Sequence, residues 1–216
     1  SRFQMALKSL KCVVLGDGTV GKTCLLMRYT TDEFLSDYVP TVFENYAAST
    51  LVGDEVYDVH LFDTAGQEAY NHLRKLTLEQ ADVIVVCFSV DLWNSFINVK
   101  EKWIPELQEH YSKIPFMVVG TKIDLRFDTD TIEKLTAQGR KPITKEEGEV
   151  LAKELSANAY LECSALTREN VDSVFKEALQ IAVSQREIAT PKEENGKKCS
   201  PCCGITNRLH SMCTLM

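Results

Sequence analysis

The chain has 216 residues, 44% apolar and 25% charged. That is the composition of one ordinary soluble domain with a tail, and it excludes a collagen, a coiled coil or a largely disordered chain. Its net charge is −7, and residues 187–216 carry four Lys/Arg and three Glu, which leaves −8 on the body. An acidic body without a Lys/Arg run argues against nucleic-acid binding, so any polyanion has to be held at a local site. The longest strongly apolar run, Val83 to Phe88, is far too short for a membrane span. The first residues show no stretch of signal-peptide length, which points away from secretion.

Along the chain, Leu10 to Leu15 reads as a buried strand and Gly21 to Thr30 as a helix. Phe43 to Val52 and Val56 to Phe62 flank Gly53-Asp54, a hairpin signal, and Tyr57, Val59 and Leu61 alternate with Asp58 and His60 at strand period. Val83 to Phe88 and Phe116 to Val119 are continuous apolar runs, as expected of strands covered on both faces. Tyr160 to Cys163 reads as a sixth strand. One helix is predicted from about Ser95 to His110, kinked at Pro105. Thr144-x-x-Glu147 is a capping box that opens another. A third, from about Asn170 to Arg186, places Val171, Val174, Phe175, Ala178 and Leu179 on one face. Strands alternating with helices imply an α/β fold with a mostly parallel six-stranded sheet and helices on both faces. Functional loops then lie at the carboxyl ends of the strands. The domain is read as residues 1–187, and residues 188–216 as a flexible tail.

Eight cysteines divide evenly. Cys12, Cys24, Cys87 and Cys163 sit in the body and read as small buried hydrophobes. Cys199, Cys202, Cys203 and Cys213 crowd the tail. A disulfide framework or a zinc site is disfavoured there.

Gly16-Asp17-Gly18-Thr19-Val20-Gly21-Lys22-Thr23 matches G-x-x-x-x-G-K-[ST], between a predicted strand and a predicted helix. The glycines let successive backbone N–H groups face phosphate oxygens, and the helix N-terminus adds a favourable dipole. Lys22 supplies a point charge for the β- and γ-phosphates, and Thr23 a hydroxyl for Mg²⁺. One lysine, a metal and backbone amides let an acidic body hold a polyphosphate.

A phosphate loop alone does not separate an ATPase, a nucleoside kinase and a GTPase. Asp63-Thr64-Ala65-Gly66-Gln67-Glu68, Thr121-Lys122-Ile123-Asp124 and Ser164-Ala165-Leu166, each after a predicted strand, resemble the D-x-x-G-Q, [NT]-K-x-D and S-A-[KL] motifs of the Ras-like small GTPases. The resemblance implies a P-loop NTPase of Ras-like fold. It implies that Asp63 holds Mg²⁺, that the Gly66 amide meets the γ-phosphate and that Gln67 orients the attacking water. Asp124 would accept from the N1–H and 2-amino edge of guanine, a pair that adenine lacks. The Lys122 stem would pack along the base and the Ala165 amide would reach O6. Cys24, Leu125, Ala65 and Leu166 complete the implied GTP-binding set with Phe34, Tyr38, Pro40 and Thr41. Catalysis would rest on Gln67, Lys22, Thr41 and Gly66, and the metal on Thr23, Thr41 and Asp63.

Tyr38-Val39-Pro40-Thr41-Val42-Phe43-Glu44-Asn45-Tyr46 resembles the first switch and effector loop of the Rho/Rac family. Tyr38, Val39, Thr41, Val42, Phe43, Glu44 and Tyr46 are its candidate effector contacts. Thr121 in the guanine motif, and a charged stretch from Arg126 to Pro142 resembling the Rho-type helical insert, point the same way. Ala69, Asn71, His72 and Lys75 depart from Rac in the second switch, which leaves effectors and exchange factors open. The nucleotide motifs contain no arginine. Arg28 and Arg74 are the nearest, and Arg28 reads as solvent-facing or structurally paired, so an activating partner is expected to supply the catalytic arginine.

Cys213-Thr214-Leu215-Met216 is a C-a-a-X box, farnesylated by the rule of thumb for Met, with Cys202 and Cys203 as candidate palmitoylation sites. The expectation is a monomeric, Mg²⁺-dependent GTPase switching between GTP and GDP states. It would be lipid-anchored to the cytoplasmic face of the plasma membrane with a cytosolic pool. Its implied partners are exchange factors, GTPase-activating proteins, a dissociation inhibitor, and effectors such as kinases or actin regulators. Two other readings, a non-hydrolysing GTP-bound scaffold and a nucleoside kinase, sit badly with Gly18, Ala65 and Gln67 and with Asp124, respectively.

Overall fold

The computed structural model describes residues 8–34, 43–64, 66 and 70–189. Strand β1 (Lys8–Gly16) leads into helix α1 (Lys22–Thr30). Strands β2 (Phe43–Val52) and β3 (Glu55–Thr64) form the antiparallel hairpin, turning at Gly53 with φ 62°. Helix α2 (Asn71–Leu78), β4 (Val83–Ser89), α3 (Trp93–Asn98), a π turn (Val99–Trp103) and α4 (Ile104–His110) follow. Then come β5 (Phe116–Thr121), a 3₁₀ turn (Ile123–Arg126), α5 (Thr129–Ala137), α6 (Lys145–Glu154), β6 (Tyr160–Glu162) and α7 (Val171–Ala189).

The strands form one six-stranded sheet in the order β2-β3-β1-β4-β5-β6, and every pair except β2–β3 is parallel. Alternation along the central strands divides the core into two layers. Leu10, Cys12 and Val14 of β1, with Val83, Val85 and Cys87 of β4, pack against Leu25 and Leu26 of α1 and Val171, Val174, Phe175 and Ala178 of α7. Val13, Leu15, Ile84, Val86 and Phe88 point the other way, onto Leu78, Val99, Trp103, Ile104, Leu107 and Leu151. Both faces are covered, which is why these strands read as unbroken apolar runs. Burial pushes the Cys12 and Cys87 thiols up to about 12, so they behave as inert packing groups, as expected.

The Thr144 capping box is formed: Glu147 N–H donates to Thr144 Oγ1 at 3.2 Å, and Thr144 N–H to the Glu147 carboxylate at 2.8 Å. The expected Ser95–His110 helix is a correction. It starts at Trp93 and runs to His110 in contiguous helical segments, and its irregularity is a π turn over Val99–Trp103 that ends just before Pro105. Pro105 follows the π turn directly within one continuous helical run; it lacks the N–H that a regular α-helix would bond to the Glu101 carbonyl, which is where the ladder departs from α geometry. Helix α2 had no counterpart in the sequence reading. Between Arg126 and Pro142 one helix forms, α5, with Asp128 as N-cap accepting from Thr131 N–H at 2.9 Å. Its foot is tied to the sheet by Arg126, which donates to both Glu162 carboxylate oxygens at 2.7 and 2.6 Å. Burial pushes the Glu162 carboxyl up, but hydrogen bonds from Arg126 and Tyr160 outweigh it and leave it below its ordinary value. Among the described residues no helix is long and apolar enough to cross a membrane.

Candidate functional site, a nucleotide site at the carboxyl ends of the strands

The loop between β1 and α1 is shaped by positions that only small residues fill. Gly16 has φ 142°, and a Cβ there would lie 2.3 Å from the Cys87 carbonyl oxygen of β4. Gly21, the N-cap of α1, has φ 90°, in the left-handed region. Thr19 also has a positive φ, 65°, so the loop curls tightly over the helix N-terminus. Lys22 is only 7% exposed, and its ammonium donates to the carbonyls of Gly16 (2.9 Å) and Asp17 (2.7 Å). Burial pushes that ammonium below its ordinary value, against the opposing pull of Asp63.

Asp63, at the end of β3 and in register with Val14 of β1, is fully buried. Thr23 Oγ1 donates to Asp63 Oδ2 at 2.5 Å, so two of the three side chains expected to hold a metal do meet; the third, Thr41, lies outside the described residues. A hydroxyl and a buried carboxylate beside a lysine-bearing phosphate loop are hard oxygen donors of the kind Mg²⁺ prefers. Gly66 sits against the same loop. A Cβ there would lie 2.4 Å from Asp17 C and Gly18 N and 2.6 Å from Gly16 O.

A cavity of ≈ 210 Å³ opens beside Gly21 and Cys24. Thr121, Lys122, Asp124 and Leu125 line one part of it, Ala165 and Leu166 another, and Phe34, 39% exposed, stands at its edge. All of these were expected from sequence. Leu25 also lines it and was missed, because a leucine on a helix gives no signal beyond core packing.

Three side chains explain how the cavity keeps its shape. Ser164 Oγ donates to Asp124 Oδ1 at 2.5 Å, which orients the carboxylate. Thr121 Oγ1 lies within hydrogen-bond distance of the carbonyls of Val20 (2.6 Å) and Phe88 (2.9 Å), its single proton serving both, and so joins the phosphate loop to β4 and β5. Arg28 Nε donates to the Ala165 carbonyl at 3.0 Å, and its NH2 to the Leu166 carbonyl at 3.0 Å. Of the two expectations for Arg28, structural pairing is the one observed. Arg74 is buried and donates to the Glu106 carboxylate at 3.1 and 3.3 Å.

Phe43, Glu44 and Tyr46 open the edge strand β2, and the Tyr46 hydroxyl donates to the Glu44 carboxylate. Tyr38, Val39, Pro40, Thr41, Val42, Ala65 and Gln67 lie outside the described residues, as do Cys202, Cys203 and Cys213.

A sequence model of the Ras family matches residues 11–184, most of the chain and all of the sheet beyond the first residues of β1. The chain belongs to the Ras family. It is a small GTPase with the α/β P-loop fold of that family, and it binds guanine nucleotide as members of the family do. For a Ras-family protein, the phosphate loop and the cavity beside Asp124 occupy the edge where the parallel strands end, as the doubly wound topology requires.

Proposed function

We propose that this Ras-family protein is a Rho/Rac-type switch that binds GTP with Mg²⁺, hydrolyses it slowly, and presents residues 38–46 to effectors only while GTP is bound. The observation that supports the reading most is the Ser164–Asp124 hydrogen bond inside the cavity next to Gly21. It fixes a carboxylate in the cavity that Gly21 of the phosphate loop also lines, where a base would sit. Asp124 and Ala165 would read guanine, Lys122 and Phe34 would flank it, and Lys22 with the loop amides would hold the phosphates. Thr23, Asp63 and Thr41 would hold Mg²⁺, which when bound neutralises phosphate charge. Gln67 would orient the water. Arg28 and Arg74 are committed to the Ala165–Leu166 loop and to Glu106, which supports an arginine supplied by an activating partner. The Rho/Rac assignment rests on residues 38–46, on Thr121 and on helix α5 within the 126–142 stretch, and with it come the actin-directed effectors and the dissociation inhibitor.

Nucleotide extracted from the purified protein and resolved chromatographically tests the reading. It expects one GDP or GTP per chain, and adenine nucleotide in its place would defeat it.

The same reading makes residues 1–187 the switch and 188–216 its anchor. A single prenyl chain on Cys213 gives only marginal membrane binding, and Lys197, Lys198 and Arg208 are fewer than the four to eight charges of a strong basic patch. Acylation at Cys202 or Cys203 would supply the second hold on the cytoplasmic face of the plasma membrane. Cys213→Ser should be wholly soluble on fractionation of cells, and Cys202→Ser/Cys203→Ser should recover from photobleaching faster than the unaltered protein. A double variant that stays as firmly bound as the unaltered chain would remove acylation from the account.

A further inference from the structure

Asp17 belongs to the phosphate loop, yet its side chain is held from outside it. Its carboxylate accepts from Asn98 Nδ2 at 2.6 Å and from Trp103 Nε1 at 2.9 Å. Its backbone carbonyl accepts from the Lys22 ammonium at 2.7 Å. One residue therefore joins the phosphate-binding lysine to the α3–α4 segment. Trp103 is fully buried, and the Arg74 guanidinium of α2 lies 4.9 Å from its ring centroid. Arg74 is in turn held by Glu106 of α4, so the indole has little room to turn.

The π turn explains why two residues five apart reach one carboxylate. In an α-helix, positions five apart point about 140° away from each other. A turn closed between residues five apart winds more slowly and brings them much closer to one face. Val99–Trp103 is such a turn, and Asn98 is its N-cap. The irregularity that breaks the expected helix is what lets both donors converge on Asp17. Neither donor is used by the nucleotide site described above.

We infer that Asn98 and Trp103 are positioning residues for the phosphate loop: by holding the Asp17 carboxylate they fix the carbonyl that meets Lys22, and so set how long the nucleotide is retained. The inference rests on the nucleotide site as proposed. Asn98→Asp replaces a donor with a like charge against Asp17. Exchanging the groups, in Asp17→Asn/Asn98→Asp, restores one amide-to-carboxylate bond and leaves an amide oxygen for the Trp103 N–H. Trp103→Phe keeps a ring beside Arg74 but removes the N–H.

The test is the release rate of a fluorescent GDP analogue, with the melting temperature recorded alongside. N98D should release GDP about tenfold faster, a coupling of ordinary size for groups in contact. The exchanged pair should return to within about twofold of the unaltered protein. W103F should release faster even where its melting temperature is kept. The chain has two tryptophans, so the Trp103 indole N–H signal is assigned by its loss in W103F, and it should move in D17N. Unchanged release in N98D and W103F, or an exchanged pair as fast as N98D, overturns the anchor. Should N98D not fold, W103F and the D17N indole shift decide the matter by themselves. An unaltered protein that holds no guanine nucleotide would defeat the nucleotide site instead, so the two failures are distinct.

Discussion

Gln67→Leu is expected to bind GTP as the unaltered protein does and to remain loaded when a GTPase-activating protein is added. The partner's arginine is worth about 10³–10⁵ in rate across such enzymes, and it acts on a water that must already be aligned. A leucine fills the space of Gln67 without a group to hold that water, so the stimulated rate should fall by most of that factor. Gly18→Val should give the same outcome for a different reason. Among the described residues, a Cβ at Gly18 meets nothing within 4 Å, so the phosphate loop itself accepts a side chain there. The expected loss comes from crowding of what approaches the loop, the arginine and the water. Gly66 makes the contrast: even a methyl group there would strike the backbone of Asp17 and Gly18. Gly66→Ala should therefore disturb nucleotide binding itself. Single-turnover hydrolysis with added activating protein separates these cases, and a stimulated rate in Gln67→Leu equal to that of the unaltered chain would remove Gln67 from the mechanism.

Asp124→Asn should weaken GTP binding and turn preference toward xanthosine nucleotides. On the proposed reading the carboxylate would offer two acceptors to the N1–H and 2-amino edge of guanine, whereas an amide offers one acceptor and a donor that suits the C2 oxygen of xanthine. Losing a hydrogen bond to a charged acceptor costs about 1.5–3 kcal/mol, or about 10- to 150-fold in affinity. The substitution should leave the fold intact, because an amide at 124 still accepts from the Ser164 hydroxyl that now donates to Asp124 Oδ1. Ser164→Ala should show a smaller loss of the same kind, since it frees the carboxylate without removing it. Competition between GTP and XTP measures both, and an unchanged preference for guanine in Asp124→Asn would mean that the base is read elsewhere.

The sequence was most legible where local chemistry dictates structure. The five-residue spacing between Gly16 and Gly21 and the Lys22-Thr23 pair announce a backbone cradle, and both glycines prove to have the positive φ such a cradle needs. Apolar runs announced the covered strands, and the Thr144 capping box announced a helix start that the structure reproduces. What stayed hidden was tertiary. Nothing in Val99-Lys100-Glu101-Lys102-Trp103 signals a π turn, because a helical periodicity with one extra residue still looks helical. Pro105 marks where the regular ladder fails, but not the form the failure takes, a widened turn before the proline. Helix α2 is short and polar: Arg74 and Thr77, which reads as surface residues would, are buried. The roles of Ser164, Thr121 and Arg28 are contacts across 40, 101 and 137 positions of chain, and no local pattern could carry them.

Phosphate release in a single turnover, with GTP or ATP and with or without Mg²⁺, separates a hydrolysing GTP switch from every other reading of the site. One phosphate per chain should leave slowly from GTP, dependent on Mg²⁺, and none from ATP. Equal release from ATP, or stable GTP binding with no release at all even after an activating protein is added, would contradict the switch.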